Sequence, residues 1–129
     1  MGPGNPDAAG TILLVDDDEN CRRMIQRAMR SRGWIVYGAS NAREAMSIYA
    51  TVHPDVVVTD LMMPGGDGNS LIAKAQKLDP NVCILTVTGL SPGDARVVHA
   101  RQGGAHNVLH KPFSGADIAA AIATTLGQD

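Results

Sequence analysis

The sequence predicts an α/β fold of the doubly wound class, in which a five-stranded parallel sheet is covered by five helices. Five short apolar runs lie along the chain, and segments with helical spacing separate them. The runs are apolar at almost every position, which is typical of strands buried on both faces of a parallel sheet. With 129 residues, the chain has the length of one domain with a substantial core.

The five predicted strands are short and rich in Val, Ile and Leu. They cover residues 11–15, 34–37, 56–59, 82–87 and 107–109. In one winding that fits them, the first strand is central and the chain reverses direction between the first and third strands. A crevice then opens at the carboxyl ends of those two strands, which is where proteins of this class bind ligands.

Four of the five helices are predicted from apolar residues at helical spacing. These residues fall within 21–29, 42–49, 71–78 and 118–126. Gly33 supplies a stop for the first helix, while Pro54 and Pro80 end the second and third.

The remaining helix, fourth in chain order, is predicted from its start signal. Ser91 offers an N-cap, Pro92 suits the first helical position, and Asp94 places an acid at the third. Its apolar stripe contains only Ala95 and Val98, so we expect it to be the least firmly docked of the five.

Composition and charge exclude several classes of function. The net charge is −2 and the basic residues are scattered, so no direct nucleic-acid binding is expected. No apolar stretch has transmembrane length and no signal peptide is present, so we expect a cytoplasmic protein without membrane contact. Cys21 and Cys83 lack metal-ligand or redox spacing and are expected to be reduced core thiols. Residues 1–10, rich in Gly and Pro, are expected to form a disordered tail.

Carboxylates follow two of the predicted strands at the same edge of the sheet. Asp16 and Asp17 come directly after the first strand, and Asp60 follows the third. Clustered carboxylates are costly unless a cation balances them, and oxygen ligands suit Mg²⁺ rather than zinc. The pattern therefore predicts one divalent-metal site, whereas Asp18 and Glu19 are better explained as complements of a helix N-terminus.

The ends of the fourth and fifth strands add groups that suit phosphoryl chemistry. Thr88 and Gly89 follow the fourth strand, and Lys111 follows the fifth. An aspartate carboxylate such as Asp60 can act as a covalent nucleophile toward phosphorus. A lysine ammonium and a divalent cation can neutralise the charge of the incoming phosphoryl group, and the small Gly89 leaves room for its oxygens.

Four motifs in chain order carry a resemblance to a known family. They are LVDDD at 14–18, TDLMMPGGDG at 59–68, TVTG at 86–89 and HKPF at 110–113. Together they resemble the receiver domain of bacterial two-component response regulators, the CheY-like superfamily, over residues 11–127. The resemblance implies a flavodoxin-like fold with strand order 2-1-3-4-5 and a cis peptide bond before Pro112.

The resemblance also implies a role for each site residue. Asp60 would accept a phosphoryl group from a phosphohistidine of a sensor histidine kinase and become an aspartyl phosphate. Asp17, Asp60 and the backbone carbonyl of Met62 would hold Mg²⁺, with Asp16 assisting. The phosphoryl group would be bound by the remaining site residues, which are Thr88, Gly89 and Lys111.

Such a domain is a signalling phosphoacceptor rather than an enzyme, because it catalyses only its own phosphorylation and dephosphorylation. The implied partners are a sensor histidine kinase or a phosphotransfer protein of a phosphorelay upstream, and an output domain or docking protein downstream. No output domain follows residue 129, so the chain is either a stand-alone receiver or a receiver from a longer protein.

Three other functions fit the sequence less well. A phosphorylation-independent receiver-like adaptor would be expected to have lost a site residue, and none is lost. A phosphohydrolase of the haloacid dehalogenase type needs an acid two residues after its nucleophile, where this chain has Met62. A nucleotide- or flavin-binding domain is disfavoured because no G-x-G-x-x-G motif follows a strand.

The chain departs from the family pattern at a position that matters for switching. Val108 stands three residues before the lysine, where the family usually has Tyr or Phe. Without a ring there, we expect the response to phosphorylation to come from the fourth helix and the loop before it. His106 and His110 are expected to lie on a solvent-facing edge of the fifth strand rather than to bind a metal.

Overall fold

The computed structural model describes residues 9–63 and 66–127. The strands are β1 (Gly10–Val15), β2 (Trp34–Ala39), β3 (Val56–Asp60), β4 (Met62–Met63), β5 (Gly66–Asp67), β6 (Cys83–Thr88) and β7 (Asn107–His110). The main sheet consists of five parallel strands in the order β2-β1-β3-β6-β7. A short antiparallel pair, β4-β5, follows β3 and was not predicted. The predicted order 2-1-3-4-5 of the main sheet is confirmed.

Helices cover both faces of the sheet. They are α1 (Glu19–Arg30), α2 (Ala42–Val52), α3 (Gly68–Leu78), α4 (Ala95–Gln102) and α5 (Gly115–Thr125). One apolar cluster joins the sheet to α2, α3 and α4, and a second joins its other face to α1 and α5. Because the central strands are buried on both faces, their sequences are apolar throughout rather than alternating.

Polar side chains fix the beginnings of the helices. The Asp18 carboxylate caps α1 by accepting from the backbone N–H groups of Asn20 and Cys21, as its sequence position predicts. Asn41 caps α2, and Ser114 forms a capping box with Asp117 at the start of α5. The left-handed turn after α1 uses Gly33, whose φ of 91° suits glycine.

The start of α4 differs from the prediction. Its N-cap is Asp94, which accepts from the backbone N–H of Arg96, and not Ser91. A turn precedes the helix, because the N–H of Asp94 donates to the Ser91 carbonyl at 3.0 Å. The face toward the core carries Val97 and Ala100, while the predicted stripe residue Val98 is 41% exposed.

The structure differs in part from the expectations for the N-terminal tail and for the two cysteines. Gly10 already belongs to β1, and the Ala9 N–H donates to the Gly33 carbonyl, so the predicted tail of residues 1–10 extends too far. Residues 1–8 lie outside the described residues. Cys21 and Cys83 are free thiols but only partly buried.

No helix among the described residues is both long and apolar enough to cross a bilayer.

Candidate functional site at the carboxyl ends of the strands

The end of β1 places two aspartates at the edge of the sheet. Asp16 is fully buried, and its backbone N–H continues the pairing with β2 by donating to the Ala39 carbonyl. Its Oδ1 atom accepts from the N–H of Asp18 at 2.9 Å, which fixes the carboxylate against the turn into α1. Asp17, between them, is exposed. One carboxylate is therefore locked in place and its neighbour faces solvent.

The third aspartate, Asp60, is the last residue of β3 and is only 6% exposed. Its Oδ1 atom accepts from the backbone N–H of Met62 at 3.0 Å. The start of α3 packs directly behind it, because a Cβ atom at Gly68 would collide with the Asp60 carbonyl oxygen. The Gly68 N–H in turn donates to the Leu61 carbonyl at 3.0 Å. A glycine is thus required for α3 to approach the end of β3 so closely.

Asp16, Asp17 and Asp60 form one cluster, as the sequence predicts. Each offers a carboxylate oxygen, and these three oxygens lie within 4.8 Å of one another. Three anionic oxygen ligands from two adjacent strands form a donor set that suits Mg²⁺ and contains neither sulfur nor imidazole. The residues present therefore fit the cation that the sequence predicts.

Lys111 reaches the same cluster from the end of β7. Its Nζ atom lies 2.8 Å from Asp60 Oδ2 and 3.3 Å from Asp16 Oδ2. The Lys111–Pro112 peptide bond is cis, as expected, and the Lys111 N–H donates to the Thr88 carbonyl at 2.7 Å. Burial lowers the pKa of Lys111, but the bond to Asp60 and the charges of both aspartates outweigh burial and raise the pKa. The ammonium is therefore held in its charged form beside Asp60.

Thr88 and Gly89 lie at the end of β6. Thr88 is fully buried, and its Oγ1 atom accepts from the Leu90 N–H at 3.1 Å. The space beside Gly89 is open, since a Cβ atom there would meet no other heavy atom within 4 Å. The oxygen of the Thr88 hydroxyl is therefore bonded to a backbone N–H of the loop that follows β6.

Val108 is buried beneath α4, at 8% exposure, within the cluster that includes Val97 and Ala100. The prediction of a solvent-facing edge holds for His106, which is exposed and precedes β7. It is wrong for His110, which is partly buried with its Nδ1 atom 2.9 Å from the Leu90 carbonyl oxygen. The histidine lies under the β6–α4 loop, because that loop folds back over the end of β7.

Sequence reasoning missed two residues of α1 that support the site. Arg22 donates through Nη1 to the Asp16 carbonyl at 2.7 Å. Burial, followed by a hydrogen bond with the Asp16 side chain, raises the pKa of the Cys21 thiol to about 12. Both lie in the first turn after Asp18, so the helix start predicted there was the available signal.

Arg96, at the start of α4, was also missed. Its Nη1 atom donates to Met62 Sδ at 3.0 Å, and its Nε and Nη2 atoms pair with the Asp94 carboxylate. That pairing, first through the side-chain bond and then through the Arg96 backbone N–H, lowers the pKa of Asp94 to about 2. The side chain thereby joins the loop after Asp60 to the N-terminus of α4.

Comparison with known proteins agrees with this architecture. The family model for the response regulator receiver domain matches residues 12–123. The chain is 33% identical over 112 residues to chemotaxis protein CheY of Thermotoga maritima, covering 86% of this chain and 92% of that relative. The crystal structure of a CheY-like receiver domain protein from Methanospirillum hungatei matches with a TM-score of 0.85 and 26% identity, covering 92% of this chain and 94% of that one.

Some of the relatives are much longer than this chain. It is 35% identical over 108 residues to the C4-dicarboxylate transport transcriptional regulatory protein DctD of Rhizobium meliloti, covering 83% of this chain but 23% of the relative. The chain likewise spans about a quarter of the regulatory protein AtoC of Escherichia coli.

The receiver-domain match over residues 12–123, together with this parallel sheet, assigns the chain to two-component signal transduction. The chain belongs to the response regulator receiver domain family.

Proposed function

We propose that this domain accepts a phosphoryl group on Asp60 and thereby switches its interactions with other proteins. The observation that carries the proposal is the position of the Lys111 ammonium, 2.8 Å from a nearly buried Asp60 carboxylate within a cluster of three aspartates. Asp60 ends a buried strand and is paired with a cation, and the cluster reaches solvent at Asp17. An acid in this position is suited to react with an anionic phosphorus compound.

Phosphoryl transfer would proceed by attack of an Asp60 carboxylate oxygen on phosphorus. The new O–P bond forms as the P–N bond of a phosphohistidine breaks, and the departing imidazole nitrogen retains the bonding electron pair. Asp60 Oδ1 is oriented by the Met62 N–H, while Oδ2 is paired with Lys111. Fixing both oxygens before the donor arrives reduces the entropic cost of the reaction.

The surrounding residues bind and neutralise the phosphoryl group. The Lys111 ammonium is held charged beside Asp60 and would pair with a phosphoryl oxygen. The Thr88 hydroxyl, whose oxygen accepts from the Leu90 N–H, would donate its proton to a phosphoryl oxygen. The open space beside Gly89 would accommodate the phosphoryl oxygens.

Asp16, Asp17 and Asp60, together with the backbone carbonyl of Met62, would hold Mg²⁺. When bound, the cation supplies positive charge that offsets the repulsion between the carboxylates and the phosphoryl group. Asp16 is already fixed by the Asp18 N–H, whereas Asp17 is exposed to solvent.

The donor would be a sensor histidine kinase or a phosphotransfer protein, and the output an attached domain or a docking partner. Named relatives include both a chemotaxis protein similar in length to this chain and transcriptional regulators about four times longer. The proposed chemistry of Asp60 uses only residues of this chain, so it applies to either arrangement.

Intact-protein mass spectrometry after incubation with acetyl phosphate tests the proposal. We expect one phosphoryl adduct that requires Mg²⁺ and is absent from Asp60→Asn. Asp79→Asn, the same substitution at the far end of α3, is the matched control and should be phosphorylated like the wild type. No adduct on the wild type, with either acetyl phosphate or a phosphorylated kinase, would contradict the proposal and favour a phosphorylation-independent adaptor.

A further inference from the structure

The backbone of Leu90 is held from both sides. Its N–H donates to Thr88 Oγ1 at 3.1 Å, and its carbonyl oxygen lies 2.9 Å from His110 Nδ1. Because a carbonyl only accepts, this second contact requires the proton on Nδ1. Thr88 and His110 are also direct partners in the β6–β7 register. Leu90 therefore connects the hydroxyl proposed to bind the phosphoryl group with the last residue of β7.

The imidazole of His110 makes its hydrogen bond with Leu90 at one end of the ring. The Nε2 atom is buried and has no hydrogen-bond partner among the described residues. The orientation of the ring consequently depends on the Leu90 carbonyl, and a shift of that carbonyl changes the hydrogen bonding of the whole side chain. His110 is thus placed to respond to the position of residue 90.

The side chain of Val108 cannot make a polar contact of this kind. Val108 lies buried under α4 and has no ring to rotate and no polar atom on its side chain. His110, two residues further along β7, carries both a ring and a donor, and its donor is already engaged with the loop that follows Thr88.

We propose that His110 is a positioning residue that couples the Thr88 hydroxyl, through Leu90, to β7 and α4. When the Thr88 side chain moves to donate its hydroxyl proton to a phosphoryl oxygen, the Oγ1 atom shifts relative to the Leu90 N–H from which it accepts. The N–H and C=O of Leu90 belong to consecutive peptide planes that meet at its Cα atom, so a change in φ or ψ of Leu90 that follows this shift also moves the carbonyl relative to His110 Nδ1. The proposal rests on the phosphoacceptor function of Asp60.

Nuclear magnetic resonance with Mg²⁺ and beryllofluoride, which mimics a phosphoryl group on aspartate, tests the coupling. In the wild type we expect changes in the amide resonances of Leu90, Val108 and Leu109 and in the Nδ1 resonance of His110. Two variants are compared with it. His110→Leu removes the donor, whereas His110→Asn keeps a side-chain N–H close to the position of Nδ1.

In His110→Leu, amides around Asp60 should respond as in the wild type, while the response of Val108 and Leu109 becomes severalfold smaller. His110→Asn should restore most of that response, which a purely structural role of the ring would not predict. Equal responses of Val108 and Leu109 in the wild type and in the leucine variant would overturn the coupling alone.

Should the leucine variant fail to fold, the wild-type imidazole decides the matter. An Nδ1 resonance that stays unchanged while amides around Asp60 respond would overturn the coupling and leave the phosphoacceptor function standing. The absence of any beryllofluoride response in the wild type would overturn both.

Discussion

Replacing Asp17 by asparagine should stabilise the protein in the absence of Mg²⁺. Asp17 faces two other carboxylates, those of Asp16 and Asp60. Together with the single ammonium of Lys111, these two carboxylates carry a net charge of −1. The carboxylate oxygens lie within 4.8 Å of one another and are open to solvent on one side. At that separation, the repulsion between the Asp17 charge and this net charge destabilises the folded state by about 1 kcal/mol. Removing the Asp17 charge should therefore raise the free energy of unfolding by about 1 kcal/mol.

Mg²⁺ should reverse this order of stability. Wild-type protein at a cation concentration about 100 times its dissociation constant should gain about 2.7 kcal/mol from binding to the folded state alone. Asp17→Asn lacks one ligand of the proposed site and should gain much less. Urea unfolding at constant ionic strength, with and without MgCl₂, measures both effects.

A matched control separates the local charge from the overall charge. Asp79→Asn makes the same substitution far from the cluster and keeps an acceptor for the Asn81 N–H. It should change neither the free energy of unfolding without cation nor the gain from Mg²⁺. The reasoning would be refuted if Asp17→Asn were no more stable than this control and gained as much from Mg²⁺ as the wild type.

Three further predictions concern the surroundings of the site. Gly68→Ala should lower the free energy of unfolding by about 1–3 kcal/mol because its Cβ meets the backbone of β3. Gly89→Ala, where a Cβ meets no neighbouring atom, should change it by less than about 0.5 kcal/mol. Equal urea midpoints for the two variants would contradict the close packing at Gly68. The pKa of Asp94 is lowered, so its contribution to stability is present above its unfolded pKa and is lost as the pH falls through about 2. A carboxyl-carbon titration should give that midpoint, and Arg96→Ala should move it upward; an unmoved midpoint would contradict the pairing. The Cys21 thiol, with its pKa raised to about 12, should be alkylated slowly at pH 8, and peptide mapping that finds rapid labelling would refute the raised pKa.

The sequence was sufficient to predict the central strands and the meeting of three aspartates at their carboxyl ends. A continuous apolar run identifies a strand that is buried on both faces, and acids placed after two such runs must meet where parallel strands end. The cluster of Asp16, Asp17 and Asp60 was predictable for that reason, without knowledge of any distance. Lys111 was placed by its motif, and its contacts with Asp16 and Asp60 agree with that placement.

Features that depend on loops could not be predicted in the same way. The two-residue strands β4 and β5 are too short to carry a periodic pattern. Ser91 and Asp94 are both good N-cap residues, and only the turn between them decides that α4 begins after the second. The burial of His110 arises from a loop folding over β7, a contact that the composition of the strand does not encode.

The ammonium of Lys111 and the Asp16 carboxylate that it approaches are 95 positions apart in the chain. No continuous segment carries the chemistry, since the cluster depends on β1, β3 and β7 being docked together. Detachment of the edge strand β7 alone would withdraw the cation and leave three carboxylates facing one another. The proposed phosphorylation of Asp60 would therefore require the cooperatively folded chain, and a nascent or proteolysed fragment without β7 would not accept the phosphoryl group.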